Sequence, residues 1–407
     1  MSIGLTIPSR DIEPQDGAAV SRNASGHRSL TEGAALYVAW RQVKPLVWRS
    51  LRAHLLFITL IVAYVTAELF LPAMLGIATP FRPAFGFSFF ASMSGLTLAV
   101  PVCLYVIYVM IRVRPQRLTA HLAGDVRQFV SFERLATGLP VFLLFPFFGS
   151  AFSYFRIYIP SFKPFNWDPT FAEWDKALHG GVYPWEWLQP VLGHPYVTTI
   201  LNGFYHLWFA VMFGVVLWQM GSLKRPRLRM QFFLTFVLLW ALLGNVVATL
   251  LSSAGPVFYG RVTGLPDPFV PLMSYLHAAN EIAPVWALNV QDLLWDSYAR
   301  YGLAIIGGMT AMPSMHIATC TSFTLVAFGV NRKLGYLFAA FTAIVQIGSV
   351  HLGWHYAIDG YVAAIGTVLI WLMVGWLLRR RAVAWLLWGG DPDCVATPKL
   401  QQAPAAA

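Results

Sequence analysis

Apolar runs of bilayer length recur along this chain, and they restrict its fold more than any other feature. They fall at residues 53–75, 87–111, 136–158, 197–220, 231–251, 303–330, 334–352 and 356–378. Each is near the roughly 20 residues that a helix needs to cross a membrane. Composition agrees: 57% of the residues are hydrophobic and 11% charged, against about 25% charged in soluble domains. The expectation is an all-α, polytopic membrane helix bundle of about eight transmembrane helices. The sixth run is interrupted by Gly307-Gly308 and Pro313. It reads alternatively as a loop up to Pro313 and a helix beginning near Ser314, with Ser314 as its cap.

Basic residues set the orientation. Arg41, Lys44, Arg49 and Arg52 precede the first run. Arg112, Arg114, Arg117, Arg127 and Arg134 follow the second, and Lys224, Arg225, Arg227 and Arg229 the fourth. Arg332 and Lys333 follow the sixth, and Arg379, Arg380 and Arg381 the eighth. The alternate flanks hold only Arg82, Arg156, Lys163, Lys176, Arg261 and Arg300. Eighteen against six, alternating through eight spans, predicts that both termini are cytoplasmic. The net charge of +10 therefore reports topology, and nucleic acid is rejected as a partner. Cys103, Cys320 and Cys394 are far apart and show no CxxC spacing, so neither a disulfide framework nor a zinc site is expected.

Residues 1–33 read as a disordered cytoplasmic tail and 34–50, with Trp40 and Trp48 among basic residues, as an interfacial helix. Residues 51–249 hold the N-terminal transmembrane helices and an outer loop, 250–381 the catalytic region, and 382–407 a C-terminal tail. In the outer loop at 159–196, Trp167, Trp174, Trp185 and Trp187 stand among Asp168, Glu173, Asp175 and Glu186. An aromatic belt is favoured there over ligand binding.

Ionisable residues within apolar sequence are costly and count as functional candidates by default. His316, His355 and Asp359 are such residues. His355 and Asp359, four apart, would share one helix face. The carboxylate would then fix the imidazole tautomer and leave the other nitrogen free to attack. His316, from another segment, would supply a proton to a leaving group. The topology puts all three at the outer face. Arg261, one of few outer cations, is the candidate phosphate clamp, with a plain surface role as the competing reading. His206 has no acidic partner at helical spacing and reads as structural. His351 and His355 are also four apart, but no Glu stands between them, so no metal is expected.

These residues resemble the type 2 phosphatidic acid phosphatase (PAP2) superfamily. Pro313-Ser314-Met315-His316 is similar to its second motif, and His355-Tyr-Ala-Ile-Asp359 to the end of its third. The resemblance covers mainly residues 250 to 380. It implies a PAP2-like catalytic core in which His355 becomes a phosphohistidine, Asp359 orients it and His316 protonates the leaving oxygen. The usual first motif, Lys-x6-Arg-Pro, is absent, and Ser349 stands where the third motif carries Arg. That pattern, with Ala311-Met-Pro-Ser-Met-His316, resembles the inositol phosphorylceramide synthase branch. It implies a phosphotransferase that moves an inositol-phosphate-like head group from a phospholipid to a lipid hydroxyl, without a cofactor. Ser314 and Arg261 would bind substrate. The alternatives are a lipid-phosphate phosphatase with water as acceptor and a non-enzymatic transporter with a His/Asp proton relay.

Overall fold

The computed structural model describes residues 43–74, 83–302 and 308–391. The expected tail at 1–33, residues 34–42 of the expected interfacial helix, Cys394 and the rest of the C-terminal tail beyond Asp391 lie outside the described residues. The chain divides after Arg49 into two compact units. Of the first, residues 43–49 are described, as helix. The second, Ser50–Ala407, holds the helix bundle.

In chain order the helices of the bundle are α1 (Leu55–Met74), α2 (Pro83–Tyr108), α3 (Leu118–Phe129), α4 (Phe132–Phe162), α5 (Asp168–Leu178), α6 (Pro184–Leu192), α7 (Pro195–Gly221), α8 (Pro226–Leu238), α9 (Tyr259–Thr263), α10 (Val270–Asn280), α11 (Trp286–Tyr301), α12 (Met315–Val330), α13 (Arg332–His351), α14 (Ala357–Arg379) and α15 (Arg381–Trp388). Helix α8 continues through a π-helical stretch, Leu239–Val247, to Leu250. No strand occurs among the described residues. Among the described residues, six helices are long and apolar enough to cross a membrane, or up to seven if a broken pair near the start of the bundle counts as one crossing.

The apolar runs correspond to α1, α2, α4, α7, α8, α12, α13 and α14. The sixth run differs most from its expected span. Its helix begins only at Met315 and has 16 residues, short for a membrane span. Pro313 lacks the N–H that an upstream helical turn would need, and Gly308 sits at φ 76°, which ordinary residues avoid. Helix α12 is instead the hub of the bundle. It packs on α7, α8, α13 and α14, and Met315, Ala318, Cys320, Phe323 and Val326 are among its many buried residues. A helix apolar all round is suited to such a position. Helix α2 is the opposite case: only 6% of its apolar window is buried, so its hydrophobic surface is left for lipid.

One end of the bundle gathers the functional candidates. There the end of α4 meets the end of α8, with Lys163 Nζ donating to the Leu250 carbonyl at 2.6 Å. The start of α7 meets the end of α13 through Thr198 Oγ1 and His351 Nε2, 2.9 Å apart. The start of α12 meets the start of α14, where the Ser314 N–H donates to the Asp359 carbonyl at 3.2 Å. The short helices α5, α6, α9, α10 and α11 lie in the connections at this end.

Candidate active site

His355 and Asp359 do meet, but not on a helix face. His355 lies in the loop before α14, whose first residue is Ala357. Asp359 sits in the first turn, and its Oδ2 reaches back to accept from the Tyr356 N–H at 3.1 Å, the return half of a capping box. The same oxygen lies 3.1 Å from His355 Nδ1. One carboxylate thus finishes a helix start and holds an imidazole. With Nδ1–H donating to Asp359, the ring keeps its lone pair on Nε2. Burial, and next the Arg156 charge, push the His355 pKa down to about 3. The ring is therefore neutral at pH 7, the form that can attack an electrophile.

His316, in the first turn of α12, is held by α7. Its ring stacks on Tyr205 with centroids 4.3 Å apart and lies 4.2 Å from the Trp208 ring. Its Nδ1 is 3.1 Å from the Tyr205 hydroxyl. The His316 and His355 ring centres are 6.2 Å apart. Ser314 is fully buried, and its Oγ has no hydrogen-bond partner. It occupies the cap position of α12 but makes no side-chain cap bond, so the expected capping role is not seen. Asp359 Oδ1 is likewise without a partner.

The cation beside these groups is Arg156, from α4. It acts electrostatically on both His316 and His355. Its Nε donates to Thr310 Oγ1 at 3.1 Å and its Nη2 to the Thr310 carbonyl at 2.8 Å. Gly308 packs against its methylenes so closely that a Cβ there would fall 2.5 Å from Cγ. Arg261 is elsewhere. Its guanidinium lies over the Trp295 ring, 5.0 Å from the centroid, and it is not among the charges acting on either histidine.

Two carboxylates of α5 brace the loop. Asp168 accepts from the Ala254 and Gly255 amides at 2.8 Å each and from the Tyr356 hydroxyl at 2.9 Å. Asp175 accepts from the Ala357 and Ile358 amides at 2.9 and 3.1 Å. Those are unpaired donors of the first turn of α14, which Tyr356 has no side-chain cap to serve. Burial raises both carboxyl pKa values, while the amide bonds oppose the rise. The turn itself needs Gly255: at φ 95°, a Cβ would fall 2.6 Å from the Trp354 carbonyl. Ser253 completes the lacing, its carbonyl accepting from the Ala311 amide at 2.8 Å and its hydroxyl from the Met312 amide at 3.3 Å.

Two further histidines near the site are held by other partners. His206 Nδ1 bonds the Asn202 carbonyl of its own helix at 2.8 Å. His351 turns to Thr198. No group of three or more metal-ligating side chains gathers among the described residues.

His316, His355 and Asp359 fall within residues 169–377, the stretch that matches the sequence model of the PAP2 superfamily. The chain belongs to the PAP2 superfamily. No curated protein and no solved structure matches it. PAP2 proteins are phosphatases or phosphotransferases, and membership assigns that broad chemistry to this chain. Two groups that organise this PAP2 site, Arg156 and Asp168, precede the matched region. Sequence reasoning passed over both. Arg156 looked like one of six sparse flanking cations, and Asp168 like part of an aromatic belt. The one available signal was the spacing of Asp168 and Asp175, seven apart and hence on one helix face.

Proposed function

We propose that this PAP2 protein is a membrane phosphotransferase acting through a phosphohistidine. The observation that carries the reading is the neutral His355 ring, held at Nδ1 by Asp359, an arrangement that leaves the lone pair on Nε2. In the first half-reaction His355 Nε2 attacks the phosphorus of a phospholipid. The bond from phosphorus to the lipid alcohol breaks, and His316 gives its Nε2 proton to the departing oxygen. Giving a proton requires the imidazolium, in which Nδ1–H donates to the Tyr205 hydroxyl oxygen 3.1 Å away and Nε2–H is left to be given; the anionic phosphate of the substrate would favour that charged form. In the second half-reaction a lipid hydroxyl gives its proton to His316, its oxygen attacks phosphorus, and the P–N bond breaks. An inositol-phosphate-like head group is thereby moved from one lipid to another.

Arg156 supplies the charge that the absent motif cations would have supplied. Ser314, with its free hydroxyl at a helix start, offers further donors to the phosphoryl oxygens. Arg261 contacts substrate farther from the phosphorus. The transferase reading is preferred to a phosphatase because Ser349 replaces the third-motif Arg, as in the synthase branch that the sequence resembles. No cofactor is invoked. The site faces outward, with both termini cytoplasmic, on the strength of the basic-residue count.

Two experiments test this. Purified protein given labelled phospholipid and quenched should yield an acid-labile, base-stable phosphoenzyme. His355→Ala should abolish adduct and turnover together, and near-normal activity in that variant would end the phosphohistidine reading. Product analysis with a lipid alcohol present separates transfer from hydrolysis. For sidedness, Ser222→Cys and Ser274→Cys should label from opposite sides of the membrane. Labelling from one side only would sink the orientation.

A further inference from the structure

A second cavity lies beside the site. It is a groove of about 190 Å³, bounded by the turn after Pro256 and by α10 and α11. Among its lining residues are Val257, Arg261, Ser274, His277, Gln291 and Asp292. Pockets that enclose whole drug-sized ligands are larger, roughly 300–1,000 Å³. This one suits a head group and not a lipid.

Its chemistry is mixed. Arg261, Ser274 and His277 can donate, while Asp292 and Gln291 can accept. Gln291 is the telling residue. It is 2% exposed; its Nε2 donates to the Leu352 carbonyl at 2.9 Å, and its Oε1 has no partner. A buried acceptor left unpaired is costly, so a ligand that donates to it gains by binding. Asp267, also in the lining, is already engaged by the Gly260 and Phe269 amides. A phosphate anion would bring few donors to Gln291 Oε1 and a charge that the Asp292 carboxylate repels. Hydroxyl groups both donate and accept, and they satisfy the whole set.

The groove is coupled to the reacting centre. Pro256 lines the narrow crevice at His355, and the next residue, Val257, lines the groove. The Val257 amide donates to the Gly353 carbonyl at 3.0 Å. Together with Gln291 on Leu352, this ties the groove wall to the loop that carries His355. We infer that the groove binds a polyhydroxylated head group of the donor phospholipid, an inference that rests on the phosphotransferase reading for its place in the reaction.

Binding is read without turnover. In His355→Ala protein, myo-inositol and glycerol are titrated by calorimetry, with inorganic phosphate as a third probe. Saturable polyol binding is expected, weakened about tenfold by Arg261→Gln or Asp292→Asn, the worth of one hydrogen bond to a charged group. Absence of saturable polyol binding, binding indifferent to both substitutions, or phosphate binding that these substitutions weaken while polyol does not bind would overturn the inference. In active protein, the same substitutions should lower kcat/KM for a polyol-headed phospholipid relative to a simple lipid phosphate. An unchanged ratio counts against the groove. Polyol binding without any phosphoenzyme would remove the phosphotransferase reading and leave the groove as a polyol site.

Discussion

Two buried polar clusters occupy opposite ends of the bundle, and they are built differently. At the end away from the active site, Arg229 is 4% exposed and fully engaged. Its Nε donates to the Gln219 carbonyl at 2.7 Å, its Nη2 to the Thr137 carbonyl at 2.8 Å, and its Nη1 lies 2.9 Å from His54 Nε2. His54 Nδ1 lies 2.7 Å from the Ser50 carbonyl. Every nitrogen of both side chains has a partner. At the active-site end, Ser314 Oγ and Asp359 Oδ1 are just as deeply buried and have none. Satisfied buried networks rigidify a fold, whereas each unsatisfied group calls for an explanation. On the proposed function, the contrast separates a cluster that joins helices from one kept open for a substrate.

Substitutions should divide the same way. The largest effects belong to the open cluster and should appear in turnover. Asp359→Asn should lower kcat by ~10²–10⁴, as when a group that holds a catalytic histidine in its tautomer is lost. Arg156→Gln should cost about 2–4 kcal/mol of transition-state stabilisation. Steady-state rates on folded, detergent-purified protein check both, and wild-type rates in either would erase the distinction. Next comes the closed cluster. Arg229→Met leaves His54 Nε2 without its partner and takes one donor each from the Gln219 and Thr137 carbonyls, so it should lower stability by about 1–3 kcal/mol while activity per folded molecule persists. Thermal unfolding set against specific activity reads this directly. The smallest effect is the sharpest discriminator. Ser314→Ala removes a hydroxyl that bonds nothing in the fold, so stability should change by less than about 1 kcal/mol. Turnover should still fall about tenfold, the worth of a lost contact to a charged phosphoryl oxygen. A stability loss without a rate loss would make Ser314 structural.

The helices and the motif residues were legible in the sequence because each leaves a local trace. An apolar run long enough to cross hydrocarbon announces α4, α7 or α8, and an unmotivated His or Asp in such sequence announces itself by its cost. Where the trace is not local, the reading failed. Arg156 reaches the site through Thr310, 154 positions away, and nothing at its own position shows that pairing. Asp175 caps a helix that begins 182 residues later. Even the correct pairing of His355 with Asp359 comes from a different geometry than the expected helix face. Spacing of four allows both an i,i+4 contact and a loop residue held from the first turn, and only coordinates separate them. Arg261 drew attention by its scarcity on one side of the membrane, a property that says nothing about which cavity it lines.

The position of Asp168 carries a practical consequence. It stands one residue before the stretch that the superfamily shares, and Arg156 stands thirteen before the start of that stretch. A fragment cut at the shared boundary would retain both histidines and Asp359, yet it would lose the guanidinium beside them and the carboxylate that ties Tyr356 to the Ala254-Gly255 turn. Transplanting the shared segment into another membrane scaffold would therefore move the reactive side chains without the charge that faces them. On the proposed function, the working unit of this protein is larger than its family signature, and it begins inside α4.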